Sequence, residues 1–377
     1  MQFRDLKRQY EYLKTDIDKA MIEVASSAAY IGGKQIKQLE AELATYVGVE
    51  HCVSCANGTD ALTLALKALN IGSGDAVFVP DFTFFSTAEV VSLEGAMPVF
   101  VDVELDTYNI SVADLERKIK AVEAEGRLTP KCIITVDLFG LPADYDGVRA
   151  VADKYSLYIV EDGAQGFGGE NAGRRACSMG DISTTSFFPA KPLGCYGDGG
   201  ACFTNNAEWA ILMESYKVHG KGTMKYDNVR IGMNSRLDTL QAAILLVKFA
   251  AFKDCELDKI NAVAQRYNEL LAGVGVTLPV VPEGYYSSWA QYTVQLQSRQ
   301  QRDTLQNKLR DMGIPTMVYY PKPMHCQTAY NEVSLYGECP NTEQLSDTVL
   351  SLPIHPYMTE DEIVEVVTAF KRCLNDV

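Results

Sequence analysis

The sequence predicts an α/β protein, with a large domain over residues 1–254 built on a mainly parallel, mixed sheet and a small α+β C-terminal domain over residues 255–377. Three observations carry this reading. Short apolar runs of strand length recur between residues 51 and 188; polar stretches with helical spacing separate them; and beyond about residue 255 the alternation loses its regularity. Strands that are apolar along their whole length are covered on both faces, as parallel sheets are.

The elements follow in order. Ile36, Leu39, Leu43 and Val47 share one helical face after the Gly32-Gly33 break. Residues 51–55 read as a strand, Asn57-Gly58-Thr59 as a turn, and Ala61, Leu62, Ala65, Leu66 and Leu69 as a helical stripe. Further strands are expected at 77–79, ended by Pro80, and at 99–101, 132–136, 157–160 and 185–188. A long helix over 237–252 precedes the smaller domain. There the spacing predicts a strand at 291–296, a helix near 302–312, and an extended run at 318–320 after Gly313-Ile314-Pro315.

Composition narrows the function. Thirty-four basic residues against 49 acidic ones give a formal charge of −15 at pH 7, a field that repels nucleic acid and anionic membranes. The first residues, MQFRDLKRQYEYLK, are charged, and no window approaches about 18 uncharged apolar residues, so a cytoplasmic protein is expected. The ten cysteines then read as reduced thiols. Cys52 and Cys55 have C-x-x-C spacing beside His51, but no second such pair completes a zinc site. They read as core residues of a short strand, and no metal is expected.

The chemistry is concentrated between Tyr158 and Gly200. The strand ending in Glu161-Asp162 brings an acid to the carboxyl edge of the sheet, where open α/β folds bind ligands. Twenty-nine positions after Asp162 comes Lys191, held between Pro189 and Pro192 and followed by Gly197-Asp198-Gly199-Gly200. A strand-end carboxylate and a tethered lysine are what pyridoxal phosphate requires: an amine to bind the aldehyde covalently, and an anion to keep the pyridine nitrogen protonated. Asn57-Gly58-Thr59-Asp60, between a strand and a helix, can cradle the phosphate dianion, with Thr59 and Ser186 hydroxyls in support.

Several blocks then place the chain beside a known family. Glu161-Asp162-Gly163-Ala164-Gln165, Ser186-Phe187-Phe188-Pro189-Ala190-Lys191 and Asn234-Ser235-Arg236-Leu237-Asp238 resemble the DegT/StrS-type nucleotide-sugar aminotransferases. So do Phe3-Arg4-Asp5-Leu6, Pro80-Asp81-Phe82-Thr83-Phe84, Tyr320-Pro321, His325 and Ser351-Leu352-Pro353. The run from Lys191 to Ala201 is similar to that of enzymes aminating UDP-2-acetamido-2-deoxy-3-oxo-glucuronate, although Tyr319 stands where that subgroup is expected to carry His.

The resemblance implies a fold type I pyridoxal phosphate transferase, a homodimer with shared active sites, that moves an amino group from L-glutamate to a nucleotide-linked keto-sugar for surface polysaccharide biosynthesis. It implies Lys191 as the covalent anchor, Asp162 as the pyridinium partner, Gln165 on the ring hydroxyl and Phe84 stacked on the ring. Gly58, Thr59 and Ser186 would hold the phosphate, with Asn234 reaching over from the second subunit. Arg236, Tyr319, Tyr320 and His325 would contact the sugar. Arg174, Arg175, Lys221, Lys225, Arg230 and Lys322 are further cations available to the anionic nucleotide. Alternatives are amination at C4, or at another C3, of a UDP- or dTDP-keto-deoxysugar, and a non-catalytic regulator or scaffold of the same fold. The complete set of Asp162, Gln165 and Lys191 favours an enzyme.

Overall fold

Alternate residues of the central strands feed two different cores. Along the strand Asp75–Pro80, Val77 and Val79 join Leu62 and Leu66 on one face, while Ala76 and Phe78 join Ile119 and Val148 on the other. This is the period-two pattern of a sheet buried on both sides. Burial of Phe78 alone contributes roughly 1.5–3 kcal/mol, and its truncation to Ala would cost about 3–5 kcal/mol. A computed structural model describes residues 1–224, 226–333 and 336–375; Lys225 lies outside the described residues.

The sheet has seven strands: β1 (His51–Cys55), β2 (Asp75–Pro80), β3 (Met97–Val101), β4 (Thr129–Val136), β5 (Tyr158–Asp162), β6 (Ile182–Ser186) and β7 (Gly200–Thr204). Their order is β1-β7-β6-β5-β4-β2-β3. Strands β2 to β6 pair in parallel, and β7 runs antiparallel to both β1 and β6, giving the expected mixed sheet. In register, Val136 of β4 lies beside Asp162 of β5, so their carboxyl ends open on one edge.

Three helices build up to the first site element. Helix α1 (Leu6–Ser27) starts at Asp5, whose side chain accepts from the Arg8 N–H, and buries Leu13 and Ile17 against Ile244 and Ala251. Helix α2 (Lys34–Val47) covers β7 through Leu39, Leu43 and Phe203. Helix α3 (Gly58–Ala68) begins where the Asn57 side chain caps the Asp60 N–H at 2.8 Å.

Some elements differ from expectation. The strand expected at 185–188 is β6, three residues earlier, where Ser183, Thr184 and Thr185 occupy buried ladder positions. Phe187 then leaves the ladder: its N–H donates to Gly199 O and its carbonyl accepts from Cys195 N. Residues 318–320 form no strand; pairing stops at the isolated bridge Met317–Ser351. Helix α1 had no expectation, because its mostly polar sequence hides the stripe.

A second core brings together Ile260, Val263 and Tyr267 of the helix Leu257–Leu271 with Leu305 and Leu309 of Arg299–Asp311 and Phe370 of Glu360–Asn375. Strands β8 (Tyr292–Gln295) and β9 (Val349–Leu352) pair antiparallel beneath them. A π-helical turn, Phe252–Glu256, joins this helix to Thr239–Ala251. Cys55 packs in the first core, and burial pushes the Cys52 thiol well up, opposite to the lowered values of redox motifs. Among the described residues no helix is long and apolar enough to cross a membrane.

Candidate active site

The carboxyl edge of the sheet opens into a cavity of about 700 Å³. Its walls come from strand ends, helix starts and the turns after them: Gly58 and Thr59 at the start of α3, Phe84 after β2, Asp162 at the end of β5, Ser186 at the end of β6 and Lys191 in the turn that follows. Tyr319 and Tyr320 close it from the C-terminal region.

The two neighbouring acids of β5 are separated by alternation. Glu161 is fully buried on the structural side, accepting from the N–H groups of Cys177 and Met179 and from the Ser183 hydroxyl. Asp162 faces the cavity; it accepts from Ala164 N–H and from the Thr87 hydroxyl, both at 3.2 Å. Burial raises the Asp162 pKa, and the Lys191 charge opposes that rise. Burial lowers the Lys191 pKa, against the pull of Asp162 and with the help of Arg4. Lys191 sits on a turn in which its N–H donates to Phe188 O at 2.9 Å.

Gly58 and Ser186 approach so closely that a Cβ at position 58 would stand 2.7 Å from the Ser186 Cβ. With Asn57 capping Asp60, the N–H groups of Gly58 and Thr59 at the start of α3 are left to meet an anion. Gln165 is pinned at both ends of its amide: Oε1 accepts from Phe139 N–H at 2.8 Å and Nε2 donates to the Tyr320 hydroxyl at 3.0 Å. The Phe84 ring is 55% exposed, open to stacking at the cavity wall. An anion cradle, an exposed aromatic ring, a buried acid and an amine on a tethered turn are the donor set that pyridoxal phosphate needs, and the residues present fit it.

Of the expected contacts, Gly58, Thr59, Phe84, Asp162, Gln165, Ser186, Lys191, Tyr319 and Tyr320 share the cavity. Asn234, Arg236 and His325 do not line it. Asn234 and Arg236 are exposed. His325 turns to Asp81: its N–H donates to Oδ1 at 2.8 Å, its Nδ1 meets Oδ2, and this bond raises the imidazole pKa. Of the further cations, Lys322 lines the cavity, whereas Arg174 pairs with Asp146 and Arg175 with Glu170. Two residues carried no sequence signal. Thr87 orients Asp162, and Gln291 lines the cavity with a buried Oε1 that has no partner among the described residues.

Sheet order and cavity fit a pyridoxal phosphate-dependent aminotransferase, the class to which the family match assigns the chain. The chain belongs to the DegT/DnrJ/EryC1/StrS aminotransferase family, which matches residues 11–371. It is 42% identical to the UDP-2-acetamido-2-deoxy-3-oxo-D-glucuronate aminotransferase of Pseudomonas aeruginosa over 98% of this chain and 99% of that one. It is 41% identical to the UDP-N-acetyl-3-dehydro-alpha-D-glucosamine 3-aminotransferase of Acidithiobacillus ferrooxidans, covering 98% and 97%. A solved DegT DnrJ EryC1 StrS aminotransferase from Brucella abortus superposes with a TM-score of 0.96 at 48% identity, covering 99% of both chains.

Proposed function

We propose that the protein transfers an amino group from L-glutamate to C3 of a UDP-linked keto-sugar, UDP-2-acetamido-2-deoxy-3-oxo-glucuronate, in the cytoplasm and for surface polysaccharide biosynthesis. The observation that carries the reading is the Lys191 amine and the Asp162 carboxylate facing one cavity beside the α3 start. The two relatives named for 3-amination of UDP-keto-sugars favour C3 over C4.

When bound, pyridoxal phosphate supplies an aldehyde that captures amines and a ring that withdraws electrons. Asp162 would stabilise the positive charge on the ring nitrogen, and Thr87 orients Asp162. Lys191 Nζ, whose pKa burial lowers, takes the proton from the glutamate α-carbon in the first half-reaction and delivers one to C3 of the sugar in the second. Gly58, Thr59 and Ser186 would hold the phosphate, Gln165 the ring hydroxyl, and Phe84 the face of the ring.

Tyr319 and Tyr320 cover the sugar. In the homodimer, exposed Asn234 and Arg236 act in the neighbouring subunit's cavity, while His325 fixes the Asp81 turn. Residues 1–254 form the cofactor-holding domain and 255–377 the smaller one, a division supported by the separate core that starts at Ile260.

The test is an amination series with L-glutamate and UDP- and dTDP-keto-sugars, products located by mass spectrometry and NMR. The proposal expects a new amine at C3 of the UDP-keto-uronate. Amination at C4, or only of dTDP-deoxysugars, would replace it with the alternative substrate; no amination at all would leave a regulatory role.

A further inference from the structure

Two glutamines of the cavity wall hang on the backbone of Phe139. Its N–H donates to Gln165 Oε1 at 2.8 Å, and its carbonyl accepts from Gln291 N–H at 3.3 Å. Both residues line the cavity, yet their side chains differ. Gln165 is engaged at both ends of its amide, by Phe139 and by Tyr320. Gln291 is engaged at neither: Oε1 is shut off from water without a partner among the described residues, and Nε2 donates to none of them.

The backbone that carries Gln291 is clamped. Ser288 N–H donates to Gly140 O at 2.9 Å, and its hydroxyl donates to Gln165 O at 2.9 Å. A Cβ at Gly140 would stand 2.5 Å from Trp289 N, so the two segments touch. Trp289 Nε1 donates to Asn261 Oδ1 at 2.9 Å, and Tyr292 opens β8 opposite Leu352. Trp289 and Tyr292 both pack into the second core, while Gln291 between them lines the cavity. An amide on so fixed a backbone is a preorganised recognition group.

A buried amide without a partner is unfavourable in the empty site, and a ligand that supplies the partner relieves it. Charge narrows the ligand group. Phosphate and carboxylate oxygens go to cations, and Lys322 lines the same cavity. A neutral amide, with one donor end and one acceptor end, suits a neutral group that has both. The sugar of the proposed reaction carries such a group in its acetamido substituent at C2, on the carbon next to the C3 that must reach Lys191. A half-turn about the last side-chain torsion offers it either end of Gln291, Nε2 for the acetamido carbonyl or Oε1 for its N–H.

We propose that Gln291 is a specificity residue that hydrogen-bonds the 2-acetamido group of the sugar and so selects sugars that bear it over those that lack it; this rests on the nucleotide-sugar aminotransferase reading. A site built to bond a polar group rejects the analogue without it, because the site's own amide is then left unpaired.

The experiment compares the wild-type holoenzyme with Gln291→Met, which keeps the length of the side chain and removes its hydrogen bonding. Titration calorimetry measures binding of UDP-N-acetylglucosamine and UDP-2-deoxyglucose, neither of which has a keto group to react, and steady-state kinetics gives KM for glutamate. The wild type should prefer the acetamido sugar. Gln291→Met should weaken that sugar about fivefold or more and the 2-deoxy sugar less than about twofold, with KM for glutamate unchanged. A wild type that binds the two sugars equally overturns the proposal without any variant. Unchanged binding in Gln291→Met overturns it, and so does equal weakening of both sugars, which marks a contact to a group they share. Loss of cofactor absorbance from a folded Gln291→Met protein overturns it too, because that marks a cofactor ligand. A wild-type enzyme that aminates no nucleotide sugar is a different result, and it sinks the underlying reading instead.

Discussion

Lys191 and Asp162 face the same cavity without a direct ion pair, yet each shifts the other's proton affinity. Burial drives both groups toward their neutral forms, and their mutual attraction drives them back. A positively charged ring between them would satisfy the acid and leave the amine neutral and able to accept a proton.

Asp162→Asn removes the negative charge; its single amide oxygen can still accept from Ala164 N–H, while its Nδ2 would donate to the Thr87 hydroxyl oxygen. The expected outcome is a folded protein whose kcat falls about 10²–10³-fold, the range seen when one preorganised charge-stabilising group is lost. Steady-state assay with circular dichroism as the folding control checks it; a kcat within a factor of about three of wild type would remove Asp162 from the chemistry.

Gly58→Ala places a methyl group 2.7 Å from the Ser186 Cβ, in the tightest part of the proposed phosphate cradle. Stability should drop by about 1–3 kcal/mol, as overpacking does. Release of cofactor on dialysis should also quicken. Unaltered retention would show that the phosphate sits elsewhere.

Two histidines should give opposite pH signatures. The folded pKa of His325 is raised, first by its bond to Asp81, so its stabilising contribution is full below its ordinary value of 6.5 and is lost as pH rises through the raised value. His355 is lowered by burial to about 4. The unfolded chain protonates it near 6.5 while the folded chain does not, so His355 costs stability as pH falls from 6.5 toward 4. Melting curves of His325→Gln and His355→Gln between pH 5 and 8 check both signs: the wild-type advantage over His325→Gln shrinks with rising pH, and that over His355→Gln grows.

In the proposed homodimer with shared sites, Asn234→Ala and Lys191→Ala should each be inactive alone, because each would damage every site. Mixed and allowed to exchange subunits, they should regain activity, since one site in the mixed dimer keeps both residues. Size-exclusion chromatography establishes the exchange. Absence of recovery in a verified mixed dimer would place Asn234 in its own chain's site or outside catalysis.

Much of this was legible in the sequence, and the exceptions have physical reasons. Apolar runs disclose strands buried on both faces, and a lysine held between prolines discloses a constrained backbone. Adjacent acids are harder: which of Glu161 and Asp162 meets the cavity depends on pleat phase, fixed only when β5 pairs with β4 and β6. Thr-rich β6 reads as polar, so its hydrogen-bonded interior was displaced toward the phenylalanines. Gln291 gains its meaning from a buried Oε1 without a partner among the described residues, which no local pattern contains. His325 sits in a family block, but its bond to Asp81 spans 244 residues and takes the ring away from the cavity.

The most direct measurement is borohydride reduction of the holoenzyme followed by peptide mapping. Covalent cofactor on the peptide containing Lys191, with loss of the label in Lys191→Ala, is the predicted result. Label on a different lysine, or none in an enzyme that still aminates keto-sugars, would contradict it.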